Sequence, residues 1–145
     1  MTEEIKDMLN TIQLRGDTPI LLADKNGVKG IIVITDQIRP EANNLIDNLN
    51  KLEVTPIMLS GDNAKTVSSV ANSLHINEYY GDLLPENKVE KLKELQSKYK
   101  TVAMVGDGVN DAPVLATSNI GIAMGAVGSD VAIESADIAL MNDNI

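Results

Sequence analysis

Asp107 and Asp111 stand four positions apart in "MVGDGVNDAP", residues 104–113, a turn that also holds Gly106, Gly108 and Asn110. An apolar run leads into it and Pro113 closes it. Asp107 ends the run directly, so its carboxylate faces the space beyond a strand end, and Asp111, past the turn, can reach the same point. Carboxylate oxygens in that arrangement suit a hard cation such as Mg²⁺, which keeps several waters and bridges to substrate phosphates. Gly106 and Gly108 let the backbone turn sharply without a Cβ clash. Asn110 can hold a carboxylate, or a bound phosphoryl group, by hydrogen bonds. The bland alternative is an acidic surface turn with an aspartate at a helix N-cap. Two glycines, two aspartates and an asparagine in six residues speak against it.

Two further groups could join this chemistry. In "SGDN", the Ser60 hydroxyl and the amides after it, through Gly61 and Asp62, could receive a phosphoryl oxygen at a helix N-terminus; a plain N-cap loop reads equally well from these letters. Lys88 falls in the first turn of a predicted helix, where cations are slightly disfavoured. That position makes sense if the ammonium neutralises phosphate, and a solvated lysine is the competing reading.

The elements that must position these groups follow from periodicity. Ile5, Met8, Leu9 and Ile12 recur at helical spacing, with Thr2 as N-cap and Gly16 as stop. "TPILLA" and "VKGIIVI" flank "DKNG" as a β-hairpin. "RPEANNLIDNLNKL" is a helix with Pro40 in its first turn and Ala42, Leu45, Ile46 and Leu49 on one face. "VTPIML" is a strand running into "SGDN", and the next helix carries Val67, Val70, Ala71 and Leu74. "LPENKVEKLKELQSKY" is a helix starting at Pro85, with Val89, Leu92 and Leu95 inward. "TVAMV" is a strand, Ala112 to Ala116 a short helix, and "IGIAM" and "DIALM" are strands joined by a short helix from Ser129. Short apolar strands alternating with helices imply a mostly parallel sheet covered on both faces. Ligands sit at the carboxyl ends of such strands, which carry "SGDN" and "GDGVND", so the two motifs are expected to face one crevice.

Composition narrows the partners. A chain of 145 residues is expected to form one module, residues 1–145, burying roughly 70% of its unfolded surface. With three tyrosines and no Phe or Trp, it has no base-stacking platform, and a net charge of −9 opposes a polyanion partner, so nucleic acid is not expected. A divalent cation could still bridge the acidic surface to a phosphate compound. The absence of cysteine excludes zinc–thiolate and thiol chemistry, and the single histidine, His75, reads as a helix-end residue. No apolar run approaches the roughly 20 residues of a membrane span, and the acidic N-terminus is unlike a signal peptide. A soluble, cytoplasmic chain is expected.

Taken in order, strand–"SGDN", "LLPENK", "MVGDGVNDAPVLATSNIGIAMG" and "SDVAIESADIALM" resemble the phosphorylation domain of P-type cation-transporting ATPases, of the haloacid dehalogenase superfamily. The family patterns are TGD(N), a P-x-x-K lysine motif and GDGxNDAPAL. Residues 1–35 resemble the end of the nucleotide-binding domain and the segment re-entering the phosphorylation domain, with Asp36, Arg39 and Pro40 at D-x-x-R-P. The resemblance implies an α/β, Rossmann-like three-layer fold, with an N-terminal helix and β-hairpin added. "MGAVGSDVAIESADIALM" is most similar to the heavy-metal branch, nearer zinc, cadmium and lead pumps than copper pumps. Carried over residue by residue, Ser60 would bind the phosphoryl group, Lys88 would balance its charge, and Gly61 and Asp62 would shape the loop. Asp107 and Asp111 would bind or position Mg²⁺, with Asn110 supporting the site. The phosphoryl group would derive from ATP.

One part of the family pattern is missing. The nucleophile of these ATPases lies in D-K-T-G-T, where an aspartate attacks the γ-phosphoryl of ATP and the mixed anhydride is then hydrolysed; the motif is absent from this sequence. "ILLADKNGV" is similar to the D-x-D-G-[TV] of small phosphatases of the superfamily, which would make Asp24 the nucleophile. Asn26, however, stands where an acid/base aspartate is wanted. The other reading of Asp24–Gly27 is a D-x-N-G hairpin turn. Three functions follow: a phosphorylation-domain module of a heavy-metal ATPase, working with the rest of a membrane ATPase; a stand-alone Mg²⁺-dependent phosphatase using Asp24; or a non-catalytic binding or regulatory module that associates with itself or another chain to cover apolar strand edges.

Overall fold

The computed structural model describes residues 2–35, 37–107, 109–124 and 130–140, with the side chains of residues 109, 131 and 132 also left aside. Asp36, Gly108 and Ser129, named above, lie outside the described residues. The chain divides into two compact units, Met1–Asp82 and Leu83–Ile145.

The first unit opens with α1 (Glu3–Leu14), whose first turn carries Glu3 and Glu4 at the positive end of the helix dipole. Thr2 is its N-cap in extended conformation but makes no side-chain cap bond, and Gly16 follows at φ +88. Strands β1 (Thr18–Asp24) and β2 (Gly27–Ile34) pair antiparallel, with Asp24 opposite Gly27 across the two residues Lys25 and Asn26. The expected hairpin is therefore present. Its apolar residues are not buried, however: Ile20, Leu22, Ile32 and Ile34 are all exposed.

Helix α2 (Ala42–Lys51) has Glu41 at its N-cap, which puts Pro40 one residue ahead of the N-cap rather than in the first turn. Next come β3 (Ile57–Leu59), α3 (Ala64–Ser73) and β4 (Glu78–Tyr80), a β–α–β unit in which β3 and β4 pair parallel. Strand β4 has no counterpart among the sequence expectations. Ile46, Ala71, Leu74 and Ile76 form a buried cluster, against which Ala42, Leu49, Met58, Val70 and Tyr79 pack. The apolar faces read from helical spacing in α2 and α3 are the faces that make this core. Exposed His75 follows α3 with φ +57, the helix-end placement expected for it.

The second unit starts with α4 (Pro85–Tyr99), with Pro85 in the first turn and Leu92 and Leu95 buried. Strand β5 (Ala103–Gly106) leads through a 3₁₀ turn at Val109–Asp111 into α5 (Ala112–Thr117). Then β6 (Ile120–Met124), α6 (Asp130–Glu134) and β7 (Ile138–Leu140) complete a three-stranded parallel sheet in the order β5–β6–β7. Leu92, Val114 and Leu115 are its largest fully buried side chains, each worth about 1.5–3 kcal/mol of burial. Gly121 lies where a Cβ would come within 2.8 Å of the Leu115 carbonyl oxygen, so the α5–β6 approach needs glycine there.

Candidate functional site

Each unit carries one of the motif loops at the carboxyl end of a parallel strand, where a doubly wound sheet presents its ligands. In the first unit, Ser60 follows β3 and its N–H donates to the Tyr80 carbonyl at 3.0 Å, extending the β3–β4 pairing by one step. The Ser60 hydroxyl donates to Asp62 Oδ2 at 2.9 Å and accepts from the Asp62 N–H at 3.1 Å. Ser60, Gly61 and Asp62 are thus gathered in one tight turn.

The amides of the α3 N-terminus are already engaged. Asn63, the N-cap, accepts from the Lys65 and Thr66 N–H groups at 2.9 and 3.1 Å. Asp82 Oδ2 accepts from the Ala64 N–H at 3.1 Å. A phosphoryl group at this loop would therefore meet the Ser60 hydroxyl and the amide beside it, not the helix amides considered from the sequence.

In the second unit, Asp107 leaves the end of β5 and is exposed, as is Asn110. Asp111 sits at the N-cap position of α5 but makes no side-chain cap bond. Its Oδ1 instead accepts from Lys88 Nζ at 2.7 Å, and the two side chains retain only 15% and 14% of their exposure. Lys88 is therefore not a solvated lysine: its first-turn position is matched by a carboxylate brought in from the β5–α5 loop. Gly106 permits this closure, because a Cβ there would stand 2.8 Å from the Asp111 Cβ.

Asp107 and Asp111, the latter paired with Lys88, are the carboxylates this loop could offer to Mg²⁺, whose shell phosphates and waters would complete. No group of three or more His, Cys, Asp and Glu is gathered for a metal among the described residues.

Asp24 occupies the hairpin. It accepts from the Asn26 N–H at 2.7 Å, closing its own turn, and lies 3.6 Å from Lys29 Nζ. β1, which carries it, pairs antiparallel with β2, whereas the other motif aspartates leave parallel strands. This placement favours the turn reading of "DKNG". Sequence reasoning overlooked Asp82, which engages the SGDN loop from 18 residues away. Its one signal was Gly-Asp directly after "YY", a strand-end pair resembling the GD of the two motif loops.

A family model of haloacid dehalogenase-like hydrolases matches residues 3–119. The chain belongs to that family. Among curated proteins, this haloacid dehalogenase-like chain is 42% identical over 135 residues to the cadmium-transporting ATPase of Staphylococcus aureus, covering 92% of the chain and 19% of that protein. It is 41% identical over 145 residues to the copper-transporting ATPase 2 of Mus musculus, covering 100% of the chain and 10% of that protein. A crystal structure of a zinc-transporting PIB-type ATPase matches with a TM-score of 0.78 at 38% identity, over 99% of the chain and 23% of that protein. The chain is homologous to the phosphorylation, or catalytic, domain of heavy-metal P-type ATPases, and it spans a fifth or less of the curated relatives named here. The α/β, Rossmann-like fold class read from the sequence agrees with these matches. Identities of 42% and 41% to a cadmium and a copper pump do not separate the metals.

Proposed function

We propose that the chain is a phosphorylation-domain module of a heavy-metal P-type ATPase that binds Mg²⁺ and a phosphoryl group and does not turn over phosphate esters by itself. The observation that carries this reading is the half-buried Lys88–Asp111 pair at 2.7 Å beside the exit of β5. A lysine held there supports a role in balancing phosphoryl charge, and Asp111 with it a role in binding a divalent ion.

On this reading the chain works at the cytoplasmic face of a heavy-metal transporter, and the phosphoryl group comes from ATP bound elsewhere in that transporter. Asp107 and Asp111 would hold Mg²⁺, which when bound supplies positive charge to phosphoryl oxygens. Ser60 turns its hydroxyl proton from Asp62 to a phosphoryl oxygen while still accepting from the Asp62 N–H. Gly61 and Asp62 keep the loop narrow, Lys88 places its charge, and Asn110 supports the second loop. The absence of D-K-T-G-T from the sequence leaves no acceptor aspartate, and the turn position of Asp24 supports the same conclusion.

The test is hydrolysis of a generic phosphate monoester with Mg²⁺ by the parent chain, Asp24→Asn and Asp107→Asn, alongside Mn²⁺ binding followed by electron paramagnetic resonance. The expected result is no turnover in any of the three, with Mn²⁺ affinity reduced only in Asp107→Asn. Turnover that both substitutions abolish would establish the phosphatase instead.

A further inference from the structure

Beyond the motif residues, one side chain outside every motif governs the geometry of the Ser60 loop. Asp82 follows β4 with φ +55, the left-handed region that aspartate, asparagine and glycine enter most readily. Two hydrogen bonds tie it across the loop: its N–H donates to the Asp62 carbonyl at 2.7 Å, and its Oδ2 accepts from the Ala64 N–H at 3.1 Å. Gly81 lets the two backbones meet, since a Cβ there would lie 2.8 Å from the Ala64 Cα and 3.1 Å from the Asp62 carbonyl oxygen. One step earlier, the Ser60 N–H donates to the Tyr80 carbonyl at 3.0 Å. The β3–β4 ladder thus continues beyond both strand ends, pinning the arch from Ser60 to Ala64 at both feet.

From this clamp we infer that Asp82 is a positioning residue for phosphoryl binding at Ser60, resting on the function proposed above. It acts in two ways. Holding the Asp62 carbonyl fixes the backbone of the residue whose N–H and carboxylate orient the Ser60 hydroxyl. Taking the Ala64 N–H, while Asn63 takes those of Lys65 and Thr66, withdraws the helix amides from any anion and leaves the phosphoryl group to the Ser60–Gly61 corner. Asp82 is exposed and needs no contact with the ligand for either effect.

The position makes two separable demands, a left-handed backbone and a side-chain acceptor. Asparagine meets both without charge, glycine meets the first alone, and alanine meets neither. The 145-residue chain and its Asp82→Asn, Asp82→Gly and Asp82→Ala variants are titrated with inorganic phosphate in the presence of Mg²⁺, reading the Ser60 and Gly61 amide resonances. Amide hydrogen exchange at Ser60 and Ala64 is measured on the same samples. The expected order of phosphate affinity is parent and Asp82→Asn alike, within about twofold, with Asp82→Gly weaker by about three- to tenfold, the size of one lost hydrogen bond. Exchange at Ala64 accelerates in Asp82→Gly and Asp82→Ala only.

If Asp82→Asn loses affinity as Asp82→Gly does, charge rather than positioning is responsible and the inference is overturned. Unchanged Ser60 and Ala64 exchange in Asp82→Gly overturns it equally. A parent chain whose resonances ignore phosphate, with the clamp still visible in exchange, sinks the phosphoryl reading above. The role of Asp82 in phosphate binding falls with it.

Discussion

Lys88 and Asp111 form the only site pair whose partners are both largely withdrawn from solvent among the described residues. Removing one member leaves the other desolvated and unmatched, which costs more than the pair itself contributes. Lys88→Met is expected to lower stability by about 1–3 kcal/mol in urea denaturation. At the same time it should raise Mn²⁺ affinity, because the ammonium no longer competes for Asp111. Loss of Mn²⁺ affinity in Lys88→Met would mean that the lysine builds the carboxylate site rather than balancing its charge. Ser60→Ala, by contrast, deletes a hydroxyl that is only half-buried. Its stability should fall by less than about 1 kcal/mol, with the phosphate response of the Gly61 amide weakened.

The elements show how little freedom the loop closures have. Gly106→Ala forces a Cβ to 2.8 Å from the Asp111 side chain, so either β5 or the 3₁₀ turn must shift. A cost of about 1–3 kcal/mol is expected, together with loss of the Lys88–Asp111 contact, seen as a changed Asp111 carboxylate resonance. Leu92 is fully buried on α4 behind Lys88 in sequence, and Leu92→Ala should cost about 2–5 kcal/mol by thermal or urea unfolding. Helical spacing identified the inward faces of α2, α3 and α4 correctly, because amphipathic periodicity is local. Strand β4 was missed: Glu78–Tyr80 is three residues long, and its strand character comes from pairing with β3 rather than from its own pattern. The hairpin was legible from its "DKNG" turn, a local signal, but the exposure of its apolar residues was not, because burial depends on what packs against the strands.

For the whole molecule, the expectation is a binding module that gains stability from its ligand and activity from a missing acceptor. Saturating Mg²⁺ should raise the unfolding midpoint by mass action, about 2.7 kcal/mol at one hundred times the dissociation constant, and Asp107→Asn should abolish the rise. Supplying D-K-T-G-T on a separate polypeptide with bound ATP should yield a hydroxylamine-sensitive acyl phosphate on that polypeptide when the chain is added. Lack of labelling with a folded, Mg²⁺-binding chain would contradict the proposal that this module completes the reaction site. The net charge of −9 carries a simpler consequence: nucleic acid should not bind at physiological salt.

The sequence by itself determined the family and most of the elements, through the spacing of Asp107 and Asp111, the order of "SGDN", "PENK" and "GDGVND", and helical periodicity. Those signals are local, a few residues long, and need no knowledge of what the chain touches. Only the tertiary structure decided that Lys88 is held by Asp111, 23 residues away, and that Asp82 closes the Ser60 loop by taking the Ala64 amide. Such pairings depend on which donors and acceptors folding leaves unsatisfied at the strand ends, and that is settled by packing rather than by neighbours in sequence. Lys88 is the partner of Asp111 beside the loop that the proposed function makes an Mg²⁺ and phosphoryl site, while Asp24 is taken up by its own hairpin turn.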